Sequence, residues 1–302
     1  MKAIHFLVCC LLIAGCTSTS KKEVLNSRIE LHEAFPSEYV DARDVNVFLP
    51  HQYFEADTPP FRVLYMHDGQ NVFTPETAYG GVAWEADSAL QAMMDSGSIH
   101  PTIIVAISNN GMKRYAEYCP EKPFLDLDAS VQDSVSAEYN LDKMLADEYL
   151  LFITKELKPF IDSNYRTCTD PTHTFMMGSS MGGLISCYAL LEYPDVFGGA
   201  ACVSTHWPFS HSPGPHPFPE VMEMYLAQSI TRLDSTHRLY FDHGTVTLDS
   251  IYPPYQKRID SIIAASDWSG ENWSQQFIGA EHNEASWKAR ISTPLSFLLK
   301  NL

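Results

Sequence analysis

Residues 172–191 read THTFMMGSSMGGLISCYALL, and the change of character within this stretch decides the fold. Thr172–Met177 is a short apolar and β-branched run, the pattern of a strand covered on both faces. Gly183–Leu191 is apolar in the manner of a buried helix. Between them stands Gly178-Ser179-Ser180-Met181-Gly182, a G-x-S-x-G turn in its informative context of strand before and helix after. Such a turn forces Ser180 into a strained backbone conformation, and glycines two residues either side remove side chains that would clash. The Ser180 hydroxyl is thereby presented at the end of a sheet and the start of a helix. The free N–H groups there favour developing negative charge.

Outward from this turn the chain alternates strand and helix patterns, the signature of an α/β fold. Arg43–Leu49, Arg62–Met66, Thr102–Ile107, Ala200–Ser204, Arg238–Asp242 and Trp273–Ile278 have strand composition. Leu141, Leu145, Tyr149, Phe152, Ile153 and Leu157 recur at helical spacing and predict one long helix over 140–163. Trp287, Ile291, Leu295 and Leu298 predict a second at the C-terminal end, with Pro159 and Pro294 kinking the two. Residues 206–219 (HWPFSHSPGPHPFP) hold five prolines and predict a stiff loop beside the sheet end. No repeat or linker divides residues 26–302, which read as one domain.

A serine hydroxyl attacks poorly unless a base takes its proton. In this sheet type the order along the chain is serine, acid, histidine. His282, between the last strand and the final helix, is the candidate base. The acid should follow Arg238–Asp242. Asp242 and Asp249 both qualify, and Asp249 is preferred because its loop can bend back toward His282, whereas Asp242 ends the strand. Glu281 and Glu284 flank the histidine but would reach its ring awkwardly. Two N–H donors are needed for an oxyanion: Met181, after the nucleophile, and Gln70, after Gly69 in the loop that follows Arg62–Met66.

Composition bounds the partners. The 302 residues carry 20 Lys+Arg against 37 Asp+Glu, for a net charge of −17 and a pI near 5.0. This excludes nucleic acid as the expected partner, since phosphate contacts need clustered cations. Met1-Lys2 followed by the apolar run Ala3–Ile13 and Ala14-Gly15-Cys16 matches a bacterial lipoprotein signal. Residues 1–15 are then a signal peptide, Cys16 is the lipidated residue, and residues 16–25 form a flexible tether; an ordinary secretory signal is the alternative. The expectation is an exported lipoprotein, anchored to a membrane and facing the periplasm or the cell surface. The cysteines show no metal-binding spacing, and neither a metal nor a cofactor is expected. An exported chain could form a disulfide, and Cys119–Cys168 is the one pair to test for it, while Cys187 and Cys202 read as small core residues.

Four stretches together resemble the putative esterase family of the α/β-hydrolase superfamily: RVLYMHDGQNVF (62–73), MKRYAEYCP (112–120), the serine turn and the His282 segment. That group includes esterase D, enterochelin esterases, feruloyl and acetylxylan esterase domains and mycolyltransferases. The resemblance implies an α/β-hydrolase fold, with a mostly parallel central sheet of about eight strands and helices on both faces. It maps the nucleophile onto Ser180, the base onto His282 and the second oxyanion donor onto Gln70. It places the acid within Gly244–Asp249. It implies a serine carboxylesterase acting on siderophore or plant-polysaccharide acyl esters; an acyltransferase and a non-catalytic binding lipoprotein are the alternatives. Trp84, Arg114, Glu117, Tyr118, His206 and Trp207 are expected around the substrate, because their loops should open at the C-terminal edge of the sheet. Arg114 could there hold an anion or pair with Glu117.

Overall fold

The computed structural model describes residues 26–209 and 216–300. The signal segment, Cys16, the whole tether and His211 lie outside the described residues. One sheet runs in the order β1-β2-β4-β3-β5-β6-β7-β8. Its strands are β1 (Arg28–Phe35), β2 (Arg43–Leu49), β3 (Arg62–His67), β4 (Thr102–Ile107), β5 (Thr174–Ser179), β6 (Gly199–Val203), β7 (Arg238–His243) and β8 (Glu271–Gln276). β2 is antiparallel to both its neighbours, and the strands from β4 across to β8 pair in parallel. This is the eight-stranded α/β-hydrolase sheet that the sequence predicts.

Side chains alternate across each strand, so consecutive residues feed opposite cores. Val63, Tyr65, Ile103 and Val105 pack on one face beneath the helices Met181–Glu192, Phe218–Ser229 and Pro253–Ala265. Leu64, Met66, Ile104 and Ala106 pack on the other, against Ala86–Asp95 and the C-terminal helices. Burying both faces explains why these strands read as continuous apolar runs; each such side chain contributes roughly 1.5–3 kcal/mol.

Register then sets the active edge. Ser179 pairs with Val203, and Val203 with Asp242. The residues that follow these strands, Ser180, Ser204 and Gly244, therefore leave the sheet on the same edge, beside the loops after β3 and β4.

Several sequence expectations are corrected. The helix expected over 140–163 begins at Ala146 and is built of Ala146–Leu151, a π-helical turn Phe152–Leu157, and Lys158–Asn164. A separate helix Ala129–Tyr139 precedes it and ends at Asn140, which is left-handed (φ 52°, ψ 52°). The C-terminal pattern divides at Ile291 into Glu284–Arg290 and Ser292–Leu299. The proline-rich loop stops at Pro217, since Phe218 and Pro219 open a helix. Cys119 and Cys168 are both free thiols. Cys119 follows the helix Arg114–Tyr118 near the C-terminal edge of the sheet, whereas Cys168 lies at the opposite edge, bonded to Phe61 at the start of β3. Cys187 and Cys202 are core residues, as the sequence predicts.

Candidate active site

Ser180 occupies φ 57°, ψ −119°, between β5 and the helix Met181–Glu192. The turn is pinned by Ser180 N–H donating to Val203 O (2.9 Å) and His206 N–H donating to Ser180 O (3.2 Å). A Cβ at Gly178 would come within 2.7 Å of the Gly182 backbone, so the tight return of the chain requires glycine there. Met181 is the first residue of the helix, and its N–H has no acceptor within the helix.

Asp249 lies in a short 3-10 turn after β7 and is fully buried. Its Oδ1 is 2.5 Å from His282 Nδ1, while its Oδ2 accepts from Gly244 N–H (2.5 Å) and from the Ser204 hydroxyl (2.7 Å). Burial works against its ionisation, but the bonds from His282 and Ser204 outweigh burial and hold the carboxyl below its ordinary value. An ionised carboxylate only accepts, so the proton is on Nδ1 and neutral His282 keeps Nε2 as an acceptor. The ring is wedged edge-on between Tyr252 (5.7 Å) and Trp287 (5.0 Å).

Asp242, the alternative acid, is directed elsewhere. It pairs with Arg290 (3.0 Å) and accepts from the Tyr240 hydroxyl (2.9 Å).

Ser180 and His282 line one cavity of about 560 Å³, with Met181, Gln70, Arg114 and His206 also on its wall. Gln70 follows a turn that only glycine permits, since a Cβ on Gly69 would lie 2.6 Å from the carbonyl carbons of Ala106 and Ile107. Asp68, in the left-handed region (φ 55°), opens that turn. Arg114 clamps Asp68, with Nε 2.7 Å from Oδ1 and Nη2 2.8 Å from Oδ2, and Asn109 Nδ2 adds a bond at 2.7 Å. Burial raises the Asp68 carboxyl, yet Arg114 prevails and the group stays below its ordinary value. Glu284, also on the wall, is shifted upward, chiefly by burial.

Four residues expected around the substrate are withdrawn from it. Trp84 is buried against Trp287 (5.7 Å). Trp207 is core, its indole N–H donating to Gln256 Oε1. Glu117 is fully buried in an ion pair with Arg43, leaving Arg114 to Asp68. Tyr118 is likewise buried, its hydroxyl accepting from Asp68 N–H. Conversely, Tyr252 carries no motif and was not found from the sequence. Its hydroxyl bonds His206 Nδ1 (2.8 Å), and burial raises the phenol far above its usual range, so it stays protonated. Its position three residues after Asp249 was the available signal. Among the described residues no group of three or more His, Cys, Asp or Glu is placed to hold a metal ion.

Known proteins resemble this chain. The chain is 26% identical over 166 residues to an uncharacterized protein of Bacillus subtilis, YbbA, a match covering 55% of this chain and 58% of the relative. The chain thus spans little more than half the length of that curated relative. A structure of the enterobactin esterase of Shigella flexneri superposes with a TM-score of 0.62 at 15% identity, over 90% of this chain and 58% of the other. A ferulic acid esterase of the fungus Anaeromyces mucronatus gives 0.59 at 19% identity, over 93% and 92%. At these identities the two structures share the fold. The family model described as "Putative esterase" matches residues 38–295, and the chain belongs to that family.

Proposed function

We propose that the protein is a serine carboxylesterase that works through an acyl-enzyme on Ser180. One observation carries this reading: a serine in a strained turn shares a cavity with an imidazole whose Nδ1 is fixed by a buried carboxylate. A binding protein gains nothing from the strain, which costs about 1–3 kcal/mol. In the reaction Ser180 Oγ attacks the ester carbonyl while His282 Nε2 takes the hydroxyl proton. Asp249 keeps the ring oriented and stabilises its charge. The Met181 and Gln70 N–H groups receive the oxyanion. His282 returns its proton to the leaving alcohol as the C–O bond breaks. Water then attacks the acyl-enzyme, giving its proton to His282, and Ser180 is restored as the acid departs.

The cavity wall favours an ester of a hydroxyl-rich carrier, as on a plant polysaccharide, over an anionic siderophore. Arg114 is engaged on Nε and Nη2 by Asp68, while Gln70, Asn71 and Asn109 offer amide donors and acceptors. The fold neighbours that act on ferulic acid and enterobactin esters support the two substrate classes as candidates.

Ser180→Ala should lower kcat on a short-chain nitrophenyl ester by about 10⁴-fold or more, with the melting temperature nearly unchanged. Undiminished hydrolysis would exclude Ser180 as nucleophile. A panel of methyl ferulate, acetylated xylan and enterobactin then ranks the substrates. The Cys16 pattern supports an exported, lipid-anchored location. Cys16→Ala should move the protein from the membrane to the soluble fraction of cells, and retention on the membrane would refute lipidation at Cys16.

A further inference from the structure

Behind Asp249 lies a polar unit that the reaction as written does not use. Ser204, at the end of β6, is fully buried and left-handed (φ 44°). Its Oγ is 2.7 Å from Asp249 Oδ2, 3.0 Å from Trp287 Nε1 and 2.8 Å from Arg290 Nη2. These partners fix the hydroxyl's direction. The indole N–H and the guanidinium can only donate, and they occupy the two lone pairs of Oγ. The Ser204 proton is left for the carboxylate, which can only accept. Arg290 is itself oriented by Asp242, with Nη2 3.0 Å from Oδ1 and Nε 3.3 Å from Oδ2. Asp242 also takes the Ser204 N–H (3.2 Å) and the Tyr240 hydroxyl (2.9 Å). The charged and titratable groups around the unit are Asp249, His282, Tyr252 and Glu284 on the cavity side, and Asp242, Arg290 and Tyr240 behind.

We propose that Ser204 is a positioning residue of the reaction, locking Asp249 against His282 Nδ1 and relaying to it the charge of the Arg290–Asp242 pair. The proposal rests on the esterase reading for its consequence in rate but not for its geometry. Without the Ser204 donor, Asp249 Oδ2 keeps Gly244 N–H alone. The carboxylate becomes more basic, rotates more freely and holds an imidazolium more strongly. His282 should then lose its proton at higher pH, and the acid limb of kcat/KM should move up with it.

The test is Ser204→Ala in the full chain, with two readouts. Ester hydrolysis should lose about tenfold to hundredfold in kcat, with KM within about twofold. The His282 titration, followed by NMR on ¹⁵N-histidine-labelled protein without substrate, should shift upward by about half a pH unit or more. Arg290→Lys keeps a cation but loses the planar fork that holds both Asp242 oxygens while reaching Ser204, and should shift the midpoint in the same direction by less. A normal kcat, or a lowered kcat with an unmoved His282 midpoint, would overturn the proposal. If Ser204→Ala does not fold, an unmoved midpoint in Arg290→Lys overturns it equally. The NMR arm needs no substrate, so a wild-type protein inactive on every ester would refute the esterase reading while the midpoint still decides the role of Ser204.

Discussion

His67 and Asp68 adjoin in sequence, and folding drives them to opposite fates. Asp68 is held ionised by Arg114, whereas burial pushes His67 down to about 3, with Nδ1 on the Tyr149 hydroxyl (2.9 Å) and Nε2 enclosed. In the unfolded chain the imidazole titrates near 6.5, so between pH 6.5 and 3 the unfolded state binds the additional proton. The stability due to neutral His67 is therefore complete above pH 6.5 and declines as pH falls toward 3. The slope should reach about 1.4 kcal/mol per pH unit. His67→Gln, which keeps a polar group near Tyr149, should flatten the slope between pH 6.5 and 4.5 in urea-unfolding series. An unchanged slope would show that His67 is not the group responsible. At this scale the sequence was legible where the backbone dictates the residue. Gly178, Gly69 and Ser180 announce their turns because few other residues can occupy them. It was opaque for Trp84 and Trp207, because a loop's position says which edge of the sheet it leaves but not whether an aromatic ring turns toward the core or the cavity.

Elements were legible in proportion to the apolar stripe they bury. β2 and β4 have the predicted limits, since every β4 residue is buried. β1 was missed because it is an edge strand, mostly exposed, and RIELHEAF carries more charge than a core strand. The helix expected over 140–163 failed at both of its irregularities. Asn140 already terminates the preceding helix in the left-handed region, so Leu141 belongs to a connection. Within the helix Pro159 would clash with the carbonyl four residues earlier, and the π-helical turn just before it relieves that clash. Pro294 acts likewise on the carbonyl of Arg290, where the C-terminal pattern divides. The first half of that division, Glu284–Arg290, carries Trp287 and Arg290 behind the acid and starts at Asn283, whose side chain accepts from Ser286 N–H (2.9 Å). Asn283→Ala should cost about 1 kcal/mol, lowering the melting temperature by about 2 °C. A melting temperature equal to wild type would mean that the short helix gains nothing from its cap.

Across the whole molecule, the antiparallel end of the sheet has to be tied to the cavity wall, and a buried ion pair contributes to that tie. Arg43, at the start of β2, meets Glu117 of the helix Arg114–Tyr118 through two bonds of 2.7 Å, both side chains nearly inaccessible. The guanidinium also lies over the rings of Tyr149 (5.3 Å) and Phe152 (5.4 Å) and donates to Asp41 O. One turn earlier on the same helix Arg114 grips Asp68, so the pair couples the β1–β2 flank to the loop that carries Gln70. Sequence spacing offered Arg114 as one of two alternatives for Glu117, because i,i+3 partners are visible in a chain and partners 74 residues apart are not. Both charges are desolvated, so removing either alone strands the other in the core. Arg43→Met or Glu117→Leu should each cost about 3–5 kcal/mol, whereas the double replacement should recover most of that loss. A double-mutant cycle in guanidinium unfolding measures the coupling. Additive losses would show that the two charges stabilise the fold independently, and the flank would then be held by its other contacts, among them the bonds from Asn110 and Lys113 to Asp41.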